Sequence, residues 1–286
     1  MHELLGAAGI AEPAEVAEVG ALAGGAVSSV WRVRLTDGSA LVLKTAAAAP
    51  DGMFTAEAAG LAALSKRVRT PAVLSAGPRW LVLEALDPCP AGPAPEYWAA
   101  AGRAAAALHG LGGQRFGWPS DGWLGLLPQR NAWSDDGHEF FAARRILRYL
   151  GEPKVEAALE PAARRALERL CERLPELIPA SPPVLTHGDL WRGNTLSADD
   201  EPAFADPAVC WMWAETDISM MYCTAQFAAP ATFFDAYHEA RPLAAGWRER
   251  MPVLHLREQL SMVAHFGPEP GSLAGIADTI RPFRTR

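Results

Sequence analysis

The sequence has few cysteines, few lysines and no long apolar segment. Its four cysteines are Cys89, Cys171, Cys210 and Cys223. No two of them form a C-x-x-C pair, which argues against a zinc site or a disulfide framework. No apolar run reaches the roughly 18 residues that a membrane span needs, and the N-terminal segment lacks the basic residues of a signal peptide. The formal net charge of −7 disfavours binding to nucleic acid or to an anionic membrane. We therefore expect a soluble, cytoplasmic monomer with no nucleic-acid or membrane partner.

Turn and helix signals divide the 286 residues into a strand-rich part and a helix-rich part. Apolar alternation predicts strands within residues 18–44, with a hairpin turn at Asp37-Gly38. The spacing of Phe54, Leu61 and Leu64 predicts a helix over 53–68, and two short strands follow it. A proline-rich connector spans 87–95, and helical patterns dominate beyond it, with helices expected over 138–151 and 161–178 among others. The pattern predicts an α+β protein in which residues 1–86 form a five-stranded antiparallel sheet with one helix and residues 87–286 are mainly helical.

The segment "HGDLWRGN" (residues 187–194) concentrates polar side chains behind a short apolar strand. By itself it fits phosphate chemistry, a metal-dependent hydrolase or an ordinary polar turn. The following "TLS" and "PAFA" predict a hairpin that returns the chain, so that Asp206 should lie beside Asn194. This H-x-D-x-x-x-x-N pattern with an Asp after a hairpin favours a phosphotransferase.

Phosphoryl transfer needs a glycine turn near the phosphates, a lysine on their oxygens, an acid for the acceptor hydroxyl and oxygen ligands for Mg²⁺. Taken singly, such a glycine pair is more often a plain turn, such a lysine is more often a solvated edge residue, and Glu57 is a helix-surface acid. Together, and in this order, they favour ATP and Mg²⁺ as cofactors. The candidates are Gly24, Gly25, Ser28 and Ser29 for the turn, Lys44 with Glu57 for the phosphates, Asp189 as the base, and Asn194 with Asp206 as metal ligands.

The chain resembles the fructosamine kinases, also called ketosamine kinases, of the superfamily that includes aminoglycoside and choline phosphotransferases. The resemblance rests on "HGDLWRGN", "LVLKT", "MFTAEAAGLAAL" and a distinctive mid-chain segment at 116–146. It implies a two-lobed, protein-kinase-like fold. It also implies that the acceptor is the C3 hydroxyl of a ketosamine, a ribulosamine or fructosamine that is free or bound to a protein. The phosphorylated product of such a reaction is unstable and releases the amine, which repairs glycation.

The resemblance also implies roles for individual residues. Asp189 matches the catalytic base, and Lys44 with Glu57 matches the pair that holds the ATP phosphates. Residues from Glu84 to Leu86 match the hinge, whose backbone would meet adenine. The remaining expectations are Trp191, Trp133 and Asn131 as acceptor contacts, and His187 and Asp217 as structural supports of the catalytic loop.

The chain departs from the family pattern at positions that we expect to border the acceptor pocket. The family commonly has Gly-His where this chain has Met212-Trp213, an aromatic residue in place of Cys210, and a tryptophan in place of Gly137. These departures leave the acceptor open, with an aminoglycoside or amino alcohol as the alternative. A metal-dependent hydrolase using His187 and a nucleotide-binding pseudokinase are more remote alternatives.

Overall fold

The computed structural model describes residues 2–10, 13–22, 28–46, 49–224 and 229–284. The helices are α1 His2–Ala7, α2 Met53–Leu64, α3 Pro95–Leu108, α4 Gly137–Phe141, α5 Pro153–Ala158, α6 Pro161–Glu172, α7 Leu174–Leu177, α8 Ala214–Cys223, α9 Ala231–Ala240, α10 Trp247–Leu254, α11 Leu256–Phe266 and α12 Pro270–Ile280. The strands are β1 Val16–Leu22, β2 Ser29–Leu35, β3 Ala40–Thr45, β4 Val73–Ala76, β5 Trp80–Glu84, β6 Asp87–Pro88, β7 Gly122–Leu124, β8 Leu127–Gln129, β9 Val184–Thr186, β10 Thr195–Ala198, β11 Glu201–Phe204 and β12 Cys210–Met212. Within the described ranges, every helix is too short or too polar to span a membrane.

The N-terminal strands form one antiparallel sheet in the order β1-β2-β3-β5-β4. The predicted hairpin turn joins β2 to β3. Gly38 adopts the left-handed conformation with φ of 91°, which suits glycine, and the Asp37 carboxylate accepts the Ser39 N–H at 2.8 Å. The five-stranded sheet and the helix-rich remainder confirm the predicted α+β class.

Alternation along the strands gives this sheet two buried faces. Leu81 and Leu83 of β5 pack toward α2, against Phe54 and Leu61. Val82, between them, packs on the opposite face, because successive side chains of a strand point to opposite sides. Leu5 of α1 also lies on that face. Lys44 of β3 lies on the α2 face, and this placement brings its ammonium group to a residue of that helix.

The helical part departs from the predicted boundaries at two places. The helix expected over 138–151 begins as α4 but widens to a π-helical turn at 142–146 and tightens to a 3₁₀ turn at 147–151. The helix expected over 161–178 divides into α6 and α7 at Arg173. Pro175 has no N–H to donate to the preceding turn, so the helix cannot continue unbroken through it.

A predicted hairpin follows the segment of residues 187–194. Strand β10 pairs with β11 from Thr195↔Phe204 to Ala198↔Glu201, and Asp199 and Asp200 turn the chain with positive φ. The Ala205 N–H donates to the Asn194 carbonyl at 2.9 Å. The return of the chain next to Asn194 is therefore confirmed. The lobe boundary at residues 86 and 87, the monomeric state and the cytoplasmic location stay predictions.

Candidate active site

An ion-pair cluster joins the sheet, α2 and the segment after β11. Lys44 Nζ donates to both carboxylate oxygens of Glu57, at 2.8 and 2.9 Å, and to Asp206 Oδ1 at 2.7 Å. Lys44 and Glu57 are 8% and 9% exposed, whereas the Asp206 side chain is about half exposed. The cluster therefore fixes one buried cation between a buried acid and an acid that is partly exposed to solvent.

Burial and mutual charge set the protonation states in this cluster. Burial raises the pKa of Glu57 to about 7, although Lys44 opposes the shift. Burial would lower the pKa of Lys44, but Asp206 and Glu57 raise it overall. For Asp206 the raising effect of burial is outweighed by Lys44, and its pKa falls. Lys44 is thus a firm cation, and Asp206 is an anion with its second oxygen uncommitted to the lysine.

The loop after β9, which the sequence predicts to be catalytic, is held by a buried aspartate from α8. Asp217 is 1% exposed. Its Oδ2 accepts the His187 N–H at 2.7 Å and lies 3.0 Å from His109 Nε2, and its Oδ1 accepts the Gly188 N–H at 2.9 Å. Gly188 has φ of 80°, and a Cβ there would lie 2.0 Å from the Ala208 carbonyl oxygen, so only glycine fits this turn. His187 is fully buried, and its Nδ1 accepts the Asp189 N–H at 3.3 Å.

Asp189 and Asn194 meet at the open end of this loop. Asn194 Nδ2 donates to Asp189 Oδ2 at 2.9 Å and to the Asp189 carbonyl at 2.8 Å. The amide oxygen of Asn194 is left for another partner. Burial raises the pKa of Asp189, and the charges of Glu258 and Asp206 act in the same direction, while Arg257 opposes them. The carboxylate is therefore poised to accept a proton.

Two buried residues that sequence reasoning missed brace the loop from behind. Arg257 of α11 donates to the Gly188 carbonyl and, at 2.8 Å, to Gln129 Oε1. Gln129 Nε2 in turn donates to the Ala208 carbonyl at 2.8 Å. This Arg257–Gln129 brace ties the backbone before Asp189 to the backbone after Asp206. The sequence signal for Arg257 is its helical spacing from Leu260 and Ala264, which places an arginine among small and apolar residues on one face of α11.

Two comparisons with known proteins show the family of this chain. The fructosamine kinase family model matches residues 6–278. The chain is 34% identical over 257 residues to a protein of Thermus thermophilus named probable ketoamine kinase, covering 86% of this chain and 87% of the relative.

The chain belongs to the fructosamine kinase family.

Two further relatives extend this assignment. A protein of Arabidopsis thaliana named protein-ribulosamine 3-kinase, chloroplastic, is 27% identical over 266 residues, covering 88% of this chain and 79% of the relative. The crystal structure of a candidate fructosamine-3-kinase from Thermobifida fusca superposes with a TM-score of 0.87 at 35% identity, covering 99% of each chain. The predicted two-lobed, protein-kinase-like fold is thereby confirmed for this fructosamine kinase family member.

The expected nucleotide-binding residues are only partly in the described structure. Gly24 and Gly25 lie outside the described residues. Ser28 and Ser29 lie at the start of β2, where Ser29 pairs with Thr45, the neighbour of Lys44. This register places both serines at the same end of the sheet as the lysine.

The hinge is partly committed to internal contacts. The Glu84 N–H donates to the Ala72 carbonyl at 2.9 Å, and its carboxylate pairs with Arg69 at 2.5 Å. The Leu86 carbonyl accepts from Arg32 Nη1 at 3.4 Å. The Glu84 N–H and the Leu86 carbonyl are thus already bonded within the protein, and the adenine contact expected of this segment stays a prediction.

The expected acceptor contacts in this fructosamine kinase family member are two tryptophans that are at least partly exposed and one asparagine that is buried. The indole ring of Trp191 lies over its own loop. It is so near to Gly193 that a Cβ there would sit 2.3 Å from the ring. Trp133 is 42% exposed. Asn131 is 1% exposed, and its amide bonds to the Ser120 carbonyl and to Arg145. Asn131 is thus a core residue, which argues against the expected contact with substrate.

The departures from the family pattern are also placed differently from expectation. Trp213 is 2% exposed and packs edge-on to Phe116. A Cβ on Gly137 would lie 2.8 Å from the Trp213 ring and 2.5 Å from that of Phe116. Gly137 and Trp213 therefore share one core volume and do not border an open pocket. Cys210 and Met212 are buried too, but they line a small cavity behind Gly188.

Proposed function

We propose that this protein is an ATP-dependent, Mg²⁺-dependent kinase that phosphorylates the 3-hydroxyl of a ketosamine. The observation that carries the proposal is that two hydrogen-bonded pairs flank the β10–β11 hairpin in a chain of the fructosamine kinase family. Asp189 is bonded to Asn194 at 2.9 Å, and Asp206 is bonded to Lys44 at 2.7 Å. The name of the Arabidopsis relative supports a ribulosamine, free or protein-bound, as the acceptor.

Asp189 would act as the base. It accepts the proton of the acceptor hydroxyl as that oxygen bonds to the γ-phosphorus and the bond from phosphorus to the β–γ bridging oxygen breaks, giving ADP and the 3-phosphate. General base catalysis of this kind contributes about 10²–10⁴ in rate. Asn194 keeps the carboxylate oriented through its amide, and Asp217 keeps the backbone of the loop in place.

Lys44 would hold the phosphates of ATP. In kinases a strand lysine paired with a helix glutamate performs this task, and Lys44 with Glu57 has that arrangement. Because Asp206 bonds the same ammonium group, the phosphate site and the metal site share one anchor. The Lys44 side chain would thus link the ATP phosphates to Asp206, which follows the β10–β11 hairpin.

The oxygen donors of Asn194 and Asp206 suit Mg²⁺, which prefers carboxylate and amide oxygens and keeps other positions for phosphate and water. In the described part of the chain, no three His, Cys, Asp or Glu side chains gather as a metal site. Two protein ligands would leave the remaining positions around the ion to phosphate oxygens and water. Bound there, Mg²⁺ would neutralise charge that develops on the phosphates.

The decisive experiment measures ATP consumption with Mg²⁺ against ribuloselysine, fructoselysine and an aminoglycoside panel. We expect transfer to a ketosamine, and Asp189→Asn should lower kcat by at least about 10²-fold while ATP still binds. Asp200→Asn, in the exposed hairpin turn, is the matched control and should keep full activity. Transfer to aminoglycosides alone, or full activity of Asp189→Asn, would refute the proposal.

A further inference from the structure

The β7–β8 hairpin belongs to the helix-rich part of the chain, yet it packs against α2, the helix that carries Glu57. Trp123 of β7 is half-buried and packs against the apolar cluster that contains Phe54 and Leu61 of α2. These two residues lie three positions before and four positions after Glu57, so they are its neighbours on the helix surface. Trp123 thus contacts the cluster on the side of α2 from which Glu57 reaches the sheet.

The turn of this hairpin is fixed to α11 by His265. The Nδ1 atom of His265 lies 2.8 Å from the Ser261 carbonyl, which can only accept, so Nδ1 carries the proton. Its Nε2 therefore accepts the Leu126 N–H, at 3.2 Å. Gly125, beside Leu126, has φ of 57°, and a Cβ there would lie 2.5 Å from Nε2, so this close approach requires glycine. The hairpin is thus anchored on a helix outside the N-terminal sheet.

A second contact joins α2 to the segment that follows Asp206. Gly60 is buried and lies three positions after Glu57, on the neighbouring turn of the same helix. A Cβ on Gly60 would lie 3.1 Å from Pro207 Cγ and 3.5 Å from the methyl groups of Val209. The backbone of α2 therefore packs directly on these two residues. Trp123 and Pro207 together support α2 from outside its own sheet.

The position of α2 decides whether Glu57 can hold Lys44. In protein kinases the corresponding lysine–glutamate pair must be in place for activity, and movement of the helix controls it. We propose that Trp123 is a positioning residue for ATP: the hairpin anchored on α11 supports α2 through Trp123, and this support keeps Glu57 on the Lys44 ammonium group. The inference rests on the proposed function and adds to it a residue that acts on the phosphates through Glu57.

The test measures the Kd of Mg·ATP by titration calorimetry and the KM values of ATP and ribuloselysine by steady-state kinetics. In Trp123→Ala we expect the Kd and the KM of ATP to rise about 10-fold, because Lys44 loses its fixed partner. The KM of ribuloselysine should stay within about twofold of the wild-type value. In a Glu57→Gln background, Trp123→Ala should raise the Kd less than about threefold, because the residue through which Trp123 acts is already removed. Trp123→Phe keeps an aromatic ring against the cluster and should recover most of the affinity.

Two further variants complete the comparison. Trp80→Ala is the matched control, because Trp80 is also half-buried but packs on the opposite face of the same sheet. It should leave the Kd of Mg·ATP within about twofold. His265→Ala removes the acceptor of the Leu126 N–H and should raise the Kd about 2–5-fold. Thermal unfolding checks the fold of each variant, and His265→Ala with Trp123→Phe decides the question if Trp123→Ala does not fold.

The outcomes separate this role from the function on which it rests. An unchanged Kd in Trp123→Ala, or an equal loss with and without Glu57→Gln, would overturn the role of Trp123 and leave the kinase assignment intact. A loss of the same size in Trp80→Ala would also overturn it, since a general weakening of the sheet would then explain the effect. Wild-type protein that binds Mg·ATP but phosphorylates no ketosamine would refute the proposed acceptor, while the Kd values would still decide the role of Trp123. Wild-type protein that does not bind Mg·ATP would refute both.

Discussion

The proposed nucleotide side of this site and the proposed catalytic loop are held by different kinds of contact. On the nucleotide side, Lys44 bonds two acidic side chains, Glu57 and Asp206, one of them 162 positions away in sequence. In the catalytic loop, Asp217 and Arg257 bond backbone groups of residues 187 and 188. A contact between two side chains requires a particular residue type at both positions, whereas a contact from a side chain to a backbone group requires it at one position only. The first region can therefore be read from residue types in order, whereas in the second Asp217 is expected only from the family resemblance and Arg257 was missed.

The largest effect should come from removing the cation of the nucleotide side. Lys44→Met should lower kcat/KM for ATP by about 10²–10³-fold, since a preorganised donor to the phosphates is lost. The KM of the acceptor should change little. Lys66→Met, at an exposed position just after α2, is the matched control. Steady-state kinetics with each substrate varied in turn measure both effects, and a loss confined to the acceptor KM would contradict the role of Lys44.

The brace behind the loop should give a smaller effect and a different kinetic pattern. Arg257→Met leaves the Gly188 carbonyl and the Gln129 amide oxygen without their donor, so we expect kcat to fall about 10–100-fold with the KM of ATP nearly unchanged. Gln129→Met should act in the same direction. The double variant should lose less than the product of the two single losses, because both residues serve one contact.

Arg257→Lys can still donate to the Gly188 carbonyl and should recover part of the rate. Arg103→Met, on the exposed face of α3, should be neutral. A raised KM for ATP with an unchanged kcat would show that the brace supports the nucleotide side instead of the loop, and the comparison between the two regions would fail.

The sequence predicted most of the fold because its signals are local. Alternation and the Asp37-Gly38 turn located the sheet, and the motif with its hairpin located Asp189, Asn194 and Asp206. The same reasoning placed Asn131 at the acceptor, although its amide is buried between Ser120 and Arg145. It also missed Gln129 and Arg257, since β8 and α11 meet the loop through long-range packing that no local pattern encodes. Helix boundaries failed where Pro175 interrupts backbone bonding and where the chain widens into a π-helical turn.

The smallest effect concerns Gly137 and Trp213, two departures from the family pattern that were expected at the acceptor pocket but are buried in the core. Gly137→Ala should lower the free energy of unfolding by about 1–3 kcal/mol, because the new methyl group would press on Phe116 and Trp213. Trp213→Phe frees part of that volume, so Gly137→Ala should cost less in its presence. Urea unfolding of the two single variants and the double variant measures this coupling. Additive losses would show that the two positions do not share a volume, and the departures would then bear on the acceptor after all.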